Sequence, residues 1–168
     1  ERSGSAGTGK TYTIRALPKH FKRRIVYTAP TNKATKELRK SVTTEDYKPE
    51  TCTIYSLLGL SLEASGEVKE LKYPEEGVPD LSAFRLVVVD EGGMVNENLR
   101  KFIKTCSAEH KIKFLFMGDQ AQLPPIGEIK SPIWKIKEGS TLTKVMRHDN
   151  QILALATTLR GLVDHPAP

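Results

Sequence analysis

Along the chain, short runs of β-branched and aromatic residues alternate with longer polar stretches in which apolar side chains recur at helical spacing. Ile25 to Ala29, Leu86 to Val89 and Phe114 to Met117 are such runs, the pattern of strands covered on both faces of a parallel sheet. Each is followed by a segment of helical character. Lys10 to Leu17 is expected to be a helix stopped by Pro18, and Asn32 to Lys40 another, capped by Thr31 after the Pro30 break. A third runs from Asn96 or Glu97 to about Cys106. Near the C-terminus Ile152, Leu155, Ala156 and Leu159 mark a last helix, with Gly161 as its stop. Strand and helix in alternation imply a doubly wound α/β sheet. Residues 60–80 break the rhythm: Leu62, Ala64, Val68 and Leu71 alternate around Ser65-Gly66, followed by Pro74, Gly77 and Pro79. That stretch is expected to be a hairpin and loop inserted between sheet elements.

A length of 168 residues fits one domain, and 38% hydrophobic with 27% charged residues supports one ordinary core. No apolar run approaches the roughly 18 residues of a membrane-spanning helix. The net charge of +6 favours polyanionic partners but says nothing about chemistry. Cys52 and Cys106 lie far apart, without CxxC spacing, and read as reduced thiols. With no export leader visible, a cytoplasmic location is expected.

Gly4-Ser5-Ala6-Gly7-Thr8-Gly9-Lys10-Thr11 fits G-x-x-x-x-G-K-[ST]. Glycines let the backbone curl so that successive N–H groups point at phosphate oxygens, at a helix N-terminus. Lys10 then reaches the β- and γ-phosphates as a point charge, and Thr11 offers its hydroxyl to Mg²⁺. Leu86-Val87-Val88-Val89-Asp90-Glu91 places two carboxylates at the C-terminal end of a strand, where ligands bind in open α/β sheets. In a nucleotide hydrolase Asp90 would hold Mg²⁺ through water, and Glu91 would orient and deprotonate the attacking water. Carboxylates also end strands merely as solvated groups; the phosphate loop upstream favours the metal and base roles.

Tyr27-Thr28-Ala29-Pro30-Thr31-Asn32-Lys33-Ala34, Thr53-Ile54-Tyr55-Ser56-Leu57-Leu58, Gly118-Asp119-Gln120-Ala121-Gln122-Leu123-Pro124-Pro125-Ile126-Gly127 and Leu142-Thr143-Lys144-Val145-Met146-Arg147 follow in a known order. With them the chain resembles the superfamily-one helicases, in particular the RecD-like group that includes the Dda-type phage helicases. The resemblance covers essentially the whole chain. It implies a P-loop NTPase, RecA-like parallel sheet flanked by helices with a small inserted β-hairpin: residues 1–59 and 81–168 as the first motor domain, and 60–80 as the hairpin that serves as a duplex-splitting wedge. The implied activity is ATP-dependent DNA unwinding with Mg²⁺, on single-stranded DNA or a fork junction, without a membrane.

By the same resemblance Gln122 senses the γ-phosphate and Arg147 reaches it from the C-terminal side, as suits a transition state with charge spread over the equatorial oxygens. Pro30, Thr31 and Asn32 match a segment that touches the DNA backbone, and Thr53 and Tyr55 match a second. There the family has Thr-x-His; Tyr55 in place of His can still stack on a base, or can simply pack in the core. Tyr73, the hairpin's aromatic residue, either stacks at the junction or covers the hairpin's own apolar face. Lys33, Lys36 and Lys40 share a helical face that is either a basic stripe beside the DNA path or, as such faces more often are, simply solvated.

Where a DEASM-like sequence is usual, this chain has Asp90-Glu91-Gly92-Gly93-Met94. The loss of a hydroxyl at 93 removes a donor toward the Gln122 loop, and two glycines are expected to loosen the backbone beside the base. The chain starts three residues before the phosphate loop, so the strand feeding that loop is expected to be missing, and a second RecA-like domain is expected in a remainder of the protein. Alone, this domain is expected to bind nucleotide weakly and to unwind nothing. Two other readings stay open: a superfamily-one helicase directed at RNA, since phosphate contacts do not report the sugar, and a nucleotide-switched binding module with impaired hydrolysis.

Overall fold

The computed structural model describes residues 2–4, 14–15, 17–20, 24–65, 68–77, 79–121, 124–136 and 140–142. Its centre is a six-stranded sheet of β1 (Arg2–Gly4), β2 (Ile25–Ala29), β3 (Glu50–Thr53), β6 (Leu86–Val89), β7 (Lys113–Gly118) and β8 (Ser140–Leu142). The strand order is β3-β2-β6-β7-β1-β8. Every pairing is parallel, with Tyr27 opposite Thr51 and Val88, and Val88 opposite Leu115.

β2 and β6 are buried along their whole length, which is why they read as uninterrupted apolar runs. Their side chains alternate between two cores. Val26, Val87 and Val89 pack with Leu99, Ile103 and Cys106 of α4 (Glu97–His110) and with Ile133. Ile25, Tyr27, Leu86 and Val88 pack on the other face with Ile14 and with Leu38 and Val42 of α2 (Asn32–Val42). Each such side chain contributes roughly 1.5–3 kcal/mol on burial. The fully buried Tyr27 donates its hydroxyl to the carbonyl of Ile14 at 3.2 Å. Cys52 is half-buried and Cys106 buried, and both thiols are free.

Local chemistry sets the helix ends. Thr31 Oγ1 accepts the Ala34 N–H at 3.1 Å to start α2, and Asn96 Oδ1 accepts the Leu99 N–H at 2.9 Å to start α4. Of the helix expected from Lys10 to Leu17, residues 10–13 and 16 lie outside the described residues, and Pro18 is found within a helix rather than after one. It is the second residue of the short helix α1 (Leu17–His20), inside the first turn, where a missing N–H leaves no bond unmade. The last helix expected from Ile152 to Leu159 lies outside the described residues.

The strand feeding the loop is present, which corrects the expectation that it is missing. Arg2 and Ser3 pair with Met117 and Gly118 on one side, and Arg2 to Gly4 pair with Ser140 to Leu142 on the other. Two neighbours hold in place three residues that carry no apolar signal.

After the short helix α3 (Ile54–Leu57), β4 (Ser61–Ser65) and β5 (Val68–Lys72) form an antiparallel hairpin that is a separate two-stranded sheet. Ser61 faces Lys72 at its foot and Ser65 faces Val68 near its tip. Tyr73 follows directly after β5. It sits at the foot rather than the tip, with its ring edge-on to Phe102 of α4 at 4.9 Å between centroids.

Candidate nucleotide and nucleic-acid site

Because the strands run parallel in this order, motifs far apart in sequence meet at one edge. From β3 to β1 the carboxyl ends carry Thr53, Pro30, Asp90, Asp119 and Gly4 in turn. Adjacent ends lie about 4.8 Å apart. The beginning of the phosphate loop and the acidic pair are therefore separated by a single strand end, that of β7.

Glu91 holds an unusual position. Its backbone is left-handed, φ 50° and ψ 38°, a conformation that costs a residue with a Cβ on the order of 1–2 kcal/mol. Three bonds impose it: Asp90 N–H to Thr28 O at 2.8 Å, Glu91 N–H to Asp90 Oδ1 at 3.0 Å, and Met94 N–H to Glu91 O at 3.0 Å. The side chain is half-buried, and burial first, then the neighbouring Asp90 charge, hold its carboxyl above the usual range. A raised, partly desolvated carboxyl is a better proton acceptor than an exposed one. Asp90, at the strand end beside it, offers the hard oxygen donors that Mg²⁺ takes from one or two carboxylates. Among the described residues, that carboxylate fits the ion. A cleft of about 530 Å³ opens beside both acids, walled opposite by Thr31 and by α2 residues that include Lys33, Glu37 and Lys40.

Gly92 and Gly93 form a 3-10 turn with Met94 and are buried. A Cβ on Gly92 would meet Ile133 Cδ1 at 2.7 Å and the Met117 carbonyl at 3.1 Å. The turn is tied by Ser131, whose buried hydroxyl lies 2.6 Å from the Val95 carbonyl and 3.3 Å from that of Gly92. Gly93 has room, since its Cβ would lie 3.5 Å from Trp134 and 3.7 Å from the Asp119 carbonyl. Gly92→Ala is accordingly expected to cost about 1–3 kcal/mol by overpacking, whereas Gly93→Ser is expected to leave stability within about 0.5 kcal/mol or raise it. Urea denaturation of the two variants checks this; equal losses would contradict the packing.

The proposed strand-contacting residues divide. Pro30 is buried and turns the chain from β2 into α2, so in that segment Thr31 and Asn32 are the exposed pair. Thr53 Oγ1 accepts the Ser56 N–H at 3.0 Å, capping α3. Thr31 and Thr53 are both N-caps that keep a hydroxyl proton to donate. Tyr55 is half-buried against the core, and burial raises its phenol pKa. Tyr73 is engaged with Phe102 and 39% exposed. Lys33, Lys36 and Lys40 are exposed, and Lys40 pairs with Glu37 at 3.5 Å. Ser5 to Thr11, Gln122 and Arg147 lie outside the described residues.

Sequence reading passed over Asp119 and Glu128. Asp119 is buried, and its Oδ1 accepts the Ala121 N–H at 3.0 Å, shaping the start of the segment that leads to Gln122. Its signal was its place in the GDxxQ motif. Glu128 Oε1 accepts the Glu97 N–H at 2.7 Å, and no local pattern marks that bond.

A family model described as an AAA domain matches residues 2–162. Among curated relatives, the uncharacterized protein R530 of Acanthamoeba polyphaga mimivirus is 32% identical over 181 residues, covering 94% of this chain and 36% of its own length. The ATP-dependent DNA helicase dda of Enterobacteria phage T4 is 30% identical over 170 residues, covering 95% of this chain and 37% of its own. The chain thus spans little more than a third of these relatives. Bacteroides Pif1 bound to ssDNA superposes with a TM-score of 0.64 over 99% of this chain and 43% of its own, at 18% identity. Pif1 helicase from Candida albicans gives 0.63 over 99% and 40%, at 22% identity. At these identities the superpositions show a shared fold.

Proposed function

The chain belongs to the AAA-domain family, as a first RecA-like domain of the superfamily-one, Dda-like helicases, and from that premise we propose that it is the ATP-hydrolysing half of a motor that moves along single-stranded DNA and opens duplex. One observation carries this: the loop-bearing, sensor-bearing, acid-bearing and Thr31-bearing strand ends are successive neighbours on one sheet edge. A nucleotide held at one end of that row and a DNA backbone at the other are thereby linked through rigid strands. The T4 relative is named a DNA helicase, which favours DNA over RNA as the track.

In this reading the amides from Gly4 to Gly9 and the Lys10 ammonium grip the triphosphate, and the hydroxyl of Thr11 and, through water, the carboxylate of Asp90 would hold Mg²⁺. The metal, when bound, neutralises charge on the phosphate oxygens. Glu91 orients a water and takes its proton, while Gln122 and Arg147 donate to the oxygens on which charge accumulates. Thr31, Asn32 and Thr53 donate to DNA phosphates, and Tyr55 offers a ring edge. A second RecA-like domain in the remainder of the protein closes on the same nucleotide. The packed Gly92-Gly93 turn gives no support to a hydrolysis-impaired switch.

Steady-state ATP hydrolysis by the full-length protein, measured alone, with single-stranded DNA and with RNA, tests the proposal. Strong stimulation by DNA is expected, falling with added salt as phosphate contacts are screened. Preference for RNA, or no stimulation at all, would count against it.

A further inference from the structure

The N-terminus of α4 has two caps of different origin. Asn96 supplies the local one, to Leu99 N–H. The other comes from Glu128, 31 residues further on, which reaches back to the Glu97 N–H. The donor it satisfies is the first N–H of the helix, one of the four that have no intrahelical partner. The turn that presents Glu128 is fixed: its N–H donates to the Pro125 carbonyl at 3.1 Å across Gly127, which has φ +81°. Glu128 points back at the helix while Ile126 and Ile129 on either side are 102% and 93% exposed. Five residues into α4, about 7.5 Å along its axis, Phe102 carries the edge contact with Tyr73 at the hairpin's foot.

From this chain of contacts we propose that Glu128 is a positioning residue that couples the segment after Asp119 to the hairpin, with α4 as the connecting rod: movement of that segment draws on the N-terminus of α4, and Phe102 passes the displacement to Tyr73 and the hairpin. This rests on the helicase reading and adds how the hairpin is driven. A carboxylate at a helix N-terminus is also favoured by the helix dipole, so the tether holds through small shifts of either partner.

The test uses the full-length protein and two readouts, DNA-stimulated ATP hydrolysis and base pairs unwound per ATP. Glu128→Ala and Phe102→Leu are each expected to leave hydrolysis within about twofold and to lower base pairs per ATP about three- to tenfold, a size usual for such coupling. Together they are expected to be no worse than the stronger single change, because they interrupt one path. Glu128→Gln, which keeps an acceptor oxygen, is expected to restore most of the loss. Parallel falls in hydrolysis and unwinding, unchanged base pairs per ATP, or equal loss in the Gln and Ala variants each overturn the proposal. An unaltered protein without DNA-stimulated hydrolysis overturns the motor reading itself, and this coupling with it.

Discussion

Glu91→Gln is expected to lower ATP turnover by about 10²–10⁴-fold while nucleotide affinity changes only a few-fold, because the substitution removes a proton acceptor and little else. Gln has nearly the same shape, and the left-handed backbone at this position is held by main-chain bonds that it keeps. Burial and the Asp90 charge raise the Glu91 pKa above its ordinary 4.5, and that shift makes a stability statement. A folded-state pKa raised above the unfolded one means that the folded protein binds the proton more tightly, so the contribution to stability is present below the unfolded value and is lost as pH rises through the folded one. At neutral pH Glu91 therefore weakens the fold, and Gln should raise the urea midpoint at pH 7 while abolishing turnover. A variant that is both inactive and less stable would instead point to a collapsed site.

Lys10→Ala is the second large effect. An ammonium reaching the β- and γ-phosphates acts on the ground state and more strongly on the transition state, so both affinity and turnover should fall, turnover by at least about 10²–10³-fold. Lys10→Arg should rescue little, since a planar fork does not replace a compact point charge in a tight amide nest. Fluorescent-nucleotide titration alongside hydrolysis separates the two losses. Retention of a tenth of the unaltered rate by the Ala variant would remove Lys10 from the site.

What was legible in the sequence is what local forces decide. Leu86–Val89 announced itself because a strand buried on both faces has no polar position to interrupt it. Asn96 and Thr31 announced the starts of α4 and α2 because a cap acts over three residues. The place of the Asp90-Glu91 pair at the end of β6 was legible because a buried apolar run that stops at two carboxylates marks where the strand leaves the core. The features that were missed depend on partners distant in sequence. Arg2–Gly4 forms a strand because two neighbours pair with it. Pro18 was read as a stop because position within a helix, not composition, decides whether its missing N–H matters. The left-handed turn at Glu91 follows from bonds to Thr28 and Met94, the close fit around Gly92 comes from Ile133 and the Met117 carbonyl, and Tyr73 found Phe102 across 29 positions.

The two native thiols have a practical consequence. Burial, more than any neighbouring charge, pushes both Cys52 and Cys106 up to about 11, so at neutral pH only about one molecule in ten thousand carries either as a thiolate. A cysteine placed at the wholly exposed Ile126 would react with a maleimide dye ahead of both. The chain thus already provides a quiet background for watching that turn optically while nucleotide comes and goes.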